Sequence, residues 1–269
     1  MNIYDRIIEL KQMRNCYEMW EEYRENLTSY IIKHVSAGDE IAVFGAGRCG
    51  DIDLKLLSDA GARISLFDND YDAMSEAVEH YGIDAECILC DFVGIFPDEY
   101  REIQDIVVRE LRRHNSIEKA ACEVYKYLQE VYAALSDKTP AFGERCFDMA
   151  ICAGVCSQIN NTAAWIWEAV CNTFQYTNDE IFNLIKENNS KCVEKFHGAI
   201  INSVRGKFIA VNELERYGVQ GSVEGAWQAI NDIKNSDKIK VIDEKMCDWI
   251  YNNNIKYRML IQYAEKCGR

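Results

Sequence analysis

Two kinds of residue in this chain are spaced for chemistry: glycines that bare the main chain, and carboxylates that close apolar runs. Gly45, Gly47 and Gly50 follow directly on the apolar run Ile41 to Phe44 in the stretch EIAVFGAGRCGD. Glycines at such a turn permit backbone conformations closed to other residues and let a ligand approach bare peptide groups at a helix start. Asp68 and Asp91 close two further apolar runs, ARISLFD and AECILCD. An acid at the end of the second strand of a nucleotide-binding unit accepts hydrogen bonds from the two ribose hydroxyls. Asp51 and Asp53 lie between these features, where the pattern of Ile52, Leu54, Leu56 and Leu57 predicts the first turn of a short helix.

The glycine spacing, GxGxxG, also suits a dinucleotide, so the charges decide the ligand. Two carboxylates beside a diphosphate would repel it, whereas a sulfonium and an ammonium group would be attracted. Asp51 and Asp53 therefore favour S-adenosylmethionine over NAD. Both acids would equally complement a helix dipole while facing water. Beyond the later run CFDMAICAGV come Gln158, Asn160 and Asn161, and His197 lies in the apolar stretch KFHGAIINSV. Gln158 cannot act as a base but can orient a substrate, while His197 can accept a proton. The chain has twelve cysteines. Cys87 and Cys90 form a CxxC inside a strand pattern with no second pair at zinc spacing, and Cys152 and Cys156 flank another strand end. They read as reduced thiols and core fillers, and no metal site is expected.

These residues need elements to position them. Glu40 to Phe44, Arg63 to Asp68, Ala85 to Asp91 and Cys146 to Val155 read as four buried strands, and Lys207 to Val211 as a fifth. Before the first strand, Ile3, Ile7, Leu10, Met13, Tyr17, Trp20, Tyr23, Leu27 and Ile31 recur at helical spacing. This stripe predicts one amphipathic helix or two in series over residues 1–36, either packed on the sheet or closing over a pocket. Pro97 suits a first helical position, and two apolar stripes separated at His114 to Ser116 make residues 97–140 helical. A second helical region spans 157–204, with Thr177 and Glu180 spaced as a capping box. These insertions exceed one crossover helix and would serve as a cap or a homodimer surface. Gly218, Gly221 and Gly225 lead into a helix around Trp227 and Ile230. The end of the chain, KIKVIDEKMCDWIY, Asn252 to Asn254 and KYRMLIQYAE, reads as a hairpin.

Composition sets the class. In 269 residues, 48% hydrophobic and 28% charged, there is ample material for a buried core. A net charge of −14 opposes a nucleic-acid partner, whose phosphates need clustered Lys and Arg. No apolar run approaches the ~20 residues of a membrane span, and MNIYDRIIELKQMRN carries no signal-peptide core. The expectation is a cytoplasmic protein with a small-molecule substrate and neither a membrane nor a nucleic-acid partner.

With these residues in place, the stretch from about Glu40 to the C-terminus resembles the class I S-adenosylmethionine-dependent methyltransferases. The resemblance implies an α/β, doubly wound, mostly parallel seven-stranded Rossmann-like sheet with a C-terminal antiparallel hairpin, occupying residues 37–269. It implies S-adenosyl-L-methionine as cofactor, held by the FGAG motif of Phe44, Gly45, Ala46 and Gly47. Asp68 and its neighbour Asn69 would hold the ribose and flank adenine; Asp91 and Phe92 would flank adenine from the next strand. Cys152, Ala153 and Gly154 match the family's fourth-strand motif. Val43 stands where the family commonly has an acid for the cofactor's amino group, and Asp51 is expected to take that role. The acid-proline-proline-aromatic motif of methyltransferases acting on base or amide nitrogens is absent. Methyl transfer from a sulfonium is an in-line displacement that needs a positioned nucleophile and, for hydroxyl or ammonium acceptors, a proton acceptor. Gln158 and His197 are the candidates for those roles. Two other readings fit parts of the pattern: an NAD(P)-dependent oxidoreductase, and a cofactor-binding protein without catalysis.

Overall fold

The computed structural model describes residues 2–11, 13, 15–135, 140–218, 223 and 225–267. Its centre is one seven-stranded sheet built from β1 (Glu40–Phe44), β2 (Arg63–Asp68), β3 (Ala85–Leu89), β4 (Phe147–Ala153), β5 (Val204–Arg216), β6 (Ile239–Asn252) and β7 (Ile255–Lys266). The spatial order is β3-β2-β1-β4-β5-β7-β6. β1 pairs in parallel with β2 and β4, while β7 runs antiparallel to both β5 and β6. The expected mostly parallel sheet with a terminal hairpin is therefore what the chain forms.

Apolar side chains alternate across the sheet because successive strand residues face opposite sides. Val43, Ile64, Ile151, Ile209, Val211 and Ile261 share one core. Against it pack Leu27 and Ile31 of α3 (Glu21–Ile31), Leu54 and Leu57 of α4 (Leu54–Asp59), and Met74 and Ala77 of α5 (Tyr71–Tyr81). α10 (Ala226–Asn235) packs on β5 and β6.

The chain divides into two compact units. The sheet unit comprises Arg14–Cys90, Ala141–Ser157 and His197–Arg269, and the helical unit Met1–Met13, Asp91–Pro140 and Gln158–Phe196. The helical unit contains α1 (Ile3–Lys11), α6 (Pro97–His114), α7 (Ile117–Leu135), α8 (Asn161–Phe174) and most of α9 (Asp179–Ser203). Its own core joins Ile103 and Val107 to Val124, Leu128, Ile166, Trp167 and Ile181. A buried Asn160 holds α7 to α9 there, with its side chain bonded to the Tyr132 hydroxyl at 3.0 Å and the Ile185 carbonyl at 3.2 Å. α1 belongs to the helical unit, and α2 (Cys16–Met19) and α3 belong to the sheet unit.

Several local expectations are corrected. Asp53 is not inside the first turn but is the N-cap of α4, accepting the Leu56 N–H at 3.1 Å, and Asp51 precedes it. Asn178, one residue beyond Thr177, accepts the Ile181 N–H at 3.1 Å and begins α9 in place of the expected capping box. α8 is entered at Asn160. β5 is 13 residues long because it continues past Val211 to pair with β7 as far as Arg216. Gly221 and residues 136–139 of the expected helical region lie outside the described residues. Among the described residues no helix is long and apolar enough to cross a membrane.

Candidate cofactor and active site

The glycine turn follows β1 in the sheet unit. Gly45 has φ +70, and a Cβ built on it would sit 2.2 Å from Cγ2 of Val155, so only glycine fits. The Gly45 and Ala46 N–H groups both donate to the Phe67 carbonyl, at 2.8 and 3.2 Å, which folds the turn across the end of β2. Gly47 has φ +46, and its Cβ position has nothing within 4 Å, leaving open space over the peptide. Its N–H donates to Oδ2 of Asp68 at 2.9 Å, while Oδ1 accepts the Asp70 N–H at 3.0 Å. Both carboxylate oxygens are thus fixed by backbone, and burial raises the acid above the usual carboxylate range against the pull of those donors. Phe44 is fully buried against Phe67 and Phe142, each at 4.7 Å, so it offers a ligand only its main chain. Asn69 is exposed beside Asp68.

Acidic and aromatic side chains gather further along the same unit. Burial pushes the Asp51 carboxyl up to about 6, with Arg24 pulling the other way. Arg24 is held by donation from Nη1 to the Gly50 carbonyl at 2.9 Å. Glu213 on β5 is 3% exposed. Ser157 Oγ donates to its Oε1 at 2.7 Å, whereas its Oε2 is buried with no hydrogen-bond partner among the described residues. Burial raises this acid too. Gly154, just past β4, lets both groups come close: a Cβ there would meet Trp249 at 3.7 Å and Glu213 Oε1 at 4.0 Å. The Trp249 ring stacks on Tyr23 at 5.0 Å and meets Trp20 edge-on at 4.9 Å. A buried carboxylate beside aromatic faces suits a cation.

In the helical unit, Asp91 Oδ1 accepts the N–H groups of Val93 at 2.8 Å, of Gly94, and of Ile95 at 3.3 Å, and Phe92 packs on Phe196 at 4.6 Å. That unit also holds a cavity of about 310 Å³ lined by Phe92, Tyr132, Asn188, Lys191 and Lys195 among others. Gln158 is exposed, and its carbonyl accepts the Asn161 N–H at 3.1 Å. Cys152 and Ala153 end β4 in the sheet unit, and His197 is buried there with Nε2 3.1 Å from Cys156 Sγ.

Gly45, Ala46, Gly47, Asp68 and Asn69 therefore converge on one turn, whereas Asp91, Phe92 and Gln158 belong to the other unit. Glu213 escapes sequence reasoning because the fifth strand reads as ending at Val211. Continuing its alternation two residues further places Glu213 on the face of Ile209 and Val211.

A glycine turn after the first strand, an anchored acid after the second and the order 3-2-1-4-5-7-6 with one antiparallel strand define the class I Rossmann-like methyltransferase fold. Among solved structures the chain is similar to a magnesium protoporphyrin IX methyltransferase (ChlM) from Synechocystis PCC 6803 with bound SAH, at 11% identity and a TM-score of 0.51 over 98% of this chain and 93% of that one. It is also similar to a SAM-dependent methyltransferase from Methanosarcina mazei, at 10% identity and a TM-score of 0.50 over 89% and 98% of the two chains. No protein-family model matches the sequence, and no curated protein does.

Proposed function

We propose that the protein is an S-adenosylmethionine-dependent methyltransferase with a small-molecule acceptor. The observation that carries this reading is the coupling of Gly47 to Asp68, which joins a glycine turn with open space above it to a carboxylate fixed by main chain. Such a turn accepts close approach of an adenosyl ligand, and the second-strand acid accepts from ribose hydroxyls. Asp51 supplies negative charge for the ligand's amino group in place of the acid that Val43 replaces. When bound, the cofactor supplies an electrophilic methyl group on a sulfonium. The chain's own task is to hold an acceptor in line and remove its proton where it carries one.

Glu213 favours a cationic acceptor. Its buried Oε2, without a hydrogen-bond partner among the described residues, suits an ammonium nitrogen, and its raised affinity for protons suits it to take one from that nitrogen. Gln158 is proposed to orient the acceptor. The acidic net charge of −14 argues for small molecules over nucleic acids. We place the protein in the cytoplasm, where thiols stay reduced; among the described residues no cysteine is in a disulfide. The helical unit is the proposed cap or homodimer surface.

Calorimetric titration with S-adenosylhomocysteine and with NADH tests the cofactor assignment. Binding of the first is expected; binding of NADH alone would overturn it in favour of an oxidoreductase. Methyl release measured against a panel of small amines tests the acceptor. Binding without turnover on any of them would leave a cofactor-binding protein.

A further inference from the structure

The twelve cysteines read from sequence as scattered thiols, yet three buried side chains of the sheet unit converge. Cys152 is the penultimate residue of β4, Cys156 lies in the turn beyond it, and His197 comes from the last turns of α9. One ligating atom from each lies within 4.8 Å of the other two, and Cys156 Sγ is 3.1 Å from His197 Nε2.

We propose that Cys152, Cys156 and His197 form a three-residue site for a thiophilic divalent cation, Zn²⁺ in the cell, with the fourth tetrahedral position left to an exogenous ligand such as water. Zinc–sulfur and zinc–nitrogen bonds of about 2.3 and 2.0 Å in a tetrahedron place sulfur and nitrogen about 3.5 Å apart and two sulfurs about 3.8 Å apart. The observed separations, 3.1 Å for Cys156 Sγ to His197 Nε2 and at most 4.8 Å for the other pairs, bracket these values. The donor set is soft, so it selects zinc or cobalt over magnesium or calcium, which require oxygen. Two thiolates balance a dipositive ion, so the occupied site is neutral and can be buried, which bare thiolates could not. Binding displaces the two thiol protons to solvent, and the neutral imidazole ligates through its lone pair.

The test does not use methyl transfer, so it stands apart from the cofactor assignment. The full-length protein is purified with reductant and without chelator, and its metal content is measured by inductively coupled plasma mass spectrometry. About one zinc per chain is expected. Metal-depleted protein is then titrated with Co²⁺, which at this site gives a sulfur-to-cobalt charge-transfer band in the near ultraviolet and the intense visible bands of tetrahedral Co²⁺. Cys156→Ser should remove both bands, and Cys87→Ser should leave them unchanged. A wild-type protein that is metal-free and shows only the weak spectrum of hexaaqua Co²⁺ overturns the proposal, whatever the variants do. Bands that persist in a folded Cys156→Ser protein overturn it as well.

Discussion

Replacing Asp51 with Asn separates what this carboxyl does for folding from what it does for a ligand. Burial pushes its pKa up to about 6, from about 3.9 in an unfolded chain. The folded state therefore holds the proton more tightly than the unfolded state between those values. Stability carried by this group is highest when it is neutral, falls as pH rises through the window from about 4 to 6, and is level above it. A shift of about two units corresponds to at most roughly 3 kcal/mol at pH 7, less whatever solvent screening restores to a half-buried group. Asn keeps the shape without the titration. Urea unfolding of both proteins at pH 4, 5, 6 and 7 should show equal stability at the acid end and a growing advantage for Asp51→Asn, up to ~3 kcal/mol at neutrality. S-adenosylhomocysteine affinity should move oppositely. The wild type gains relative to the variant as the carboxyl ionises, and the variant binds about 10- to 100-fold more weakly at pH 7, the worth of one charge-assisted hydrogen bond. A stability difference that stays constant from pH 4 to 7, or shrinks with rising pH, would refute the burial argument. An unchanged affinity would remove Asp51 from the cofactor site.

Other substitutions probe the same unit. Asp68→Asn leaves only one acceptor oxygen for the Gly47 and Asp70 N–H groups, and calorimetry should record at least a roughly tenfold loss of S-adenosylhomocysteine affinity. Gly45→Ala drives a methyl group into Val155 at a left-handed φ, and denaturant unfolding should show a loss of about 2 to 4 kcal/mol. Glu213→Gln should lower kcat toward amine acceptors by about 10²-fold or more while cofactor affinity holds, as steady-state kinetics beside calorimetry would show.

The sheet was legible because its signals are local. Ile41 to Phe44 are wholly apolar, the glycines follow at once, and the hairpin arms flank a short Asn-rich turn. Element ends were less legible, since neighbouring residues compete for a cap. Thr177 and Asn178 both carry a suitable oxygen, and it is the Asn178 oxygen that takes the Ile181 N–H. The glycine turn and Asp68 were visible in sequence because each sits at the end of an apolar run. The convergence of Cys156 and His197, 41 residues apart, was not. It depends on where α9 lies and on its rotation, which periodicity does not specify. Glu213 was hidden by the opposite error, a strand read as stopping where its apolar residues stop.

The position of β6 at the rim of the sheet has a consequence for how copies of the chain meet in solution. Its outward face carries Ile242, Met246 and Ile250, which are 51%, 60% and 52% exposed, at a sheet edge of the kind that can pair with further strands. Lys240, Glu244 and Asp248 alternate with them along the same side. These charges act as gatekeepers against pairing of the rim with a second copy.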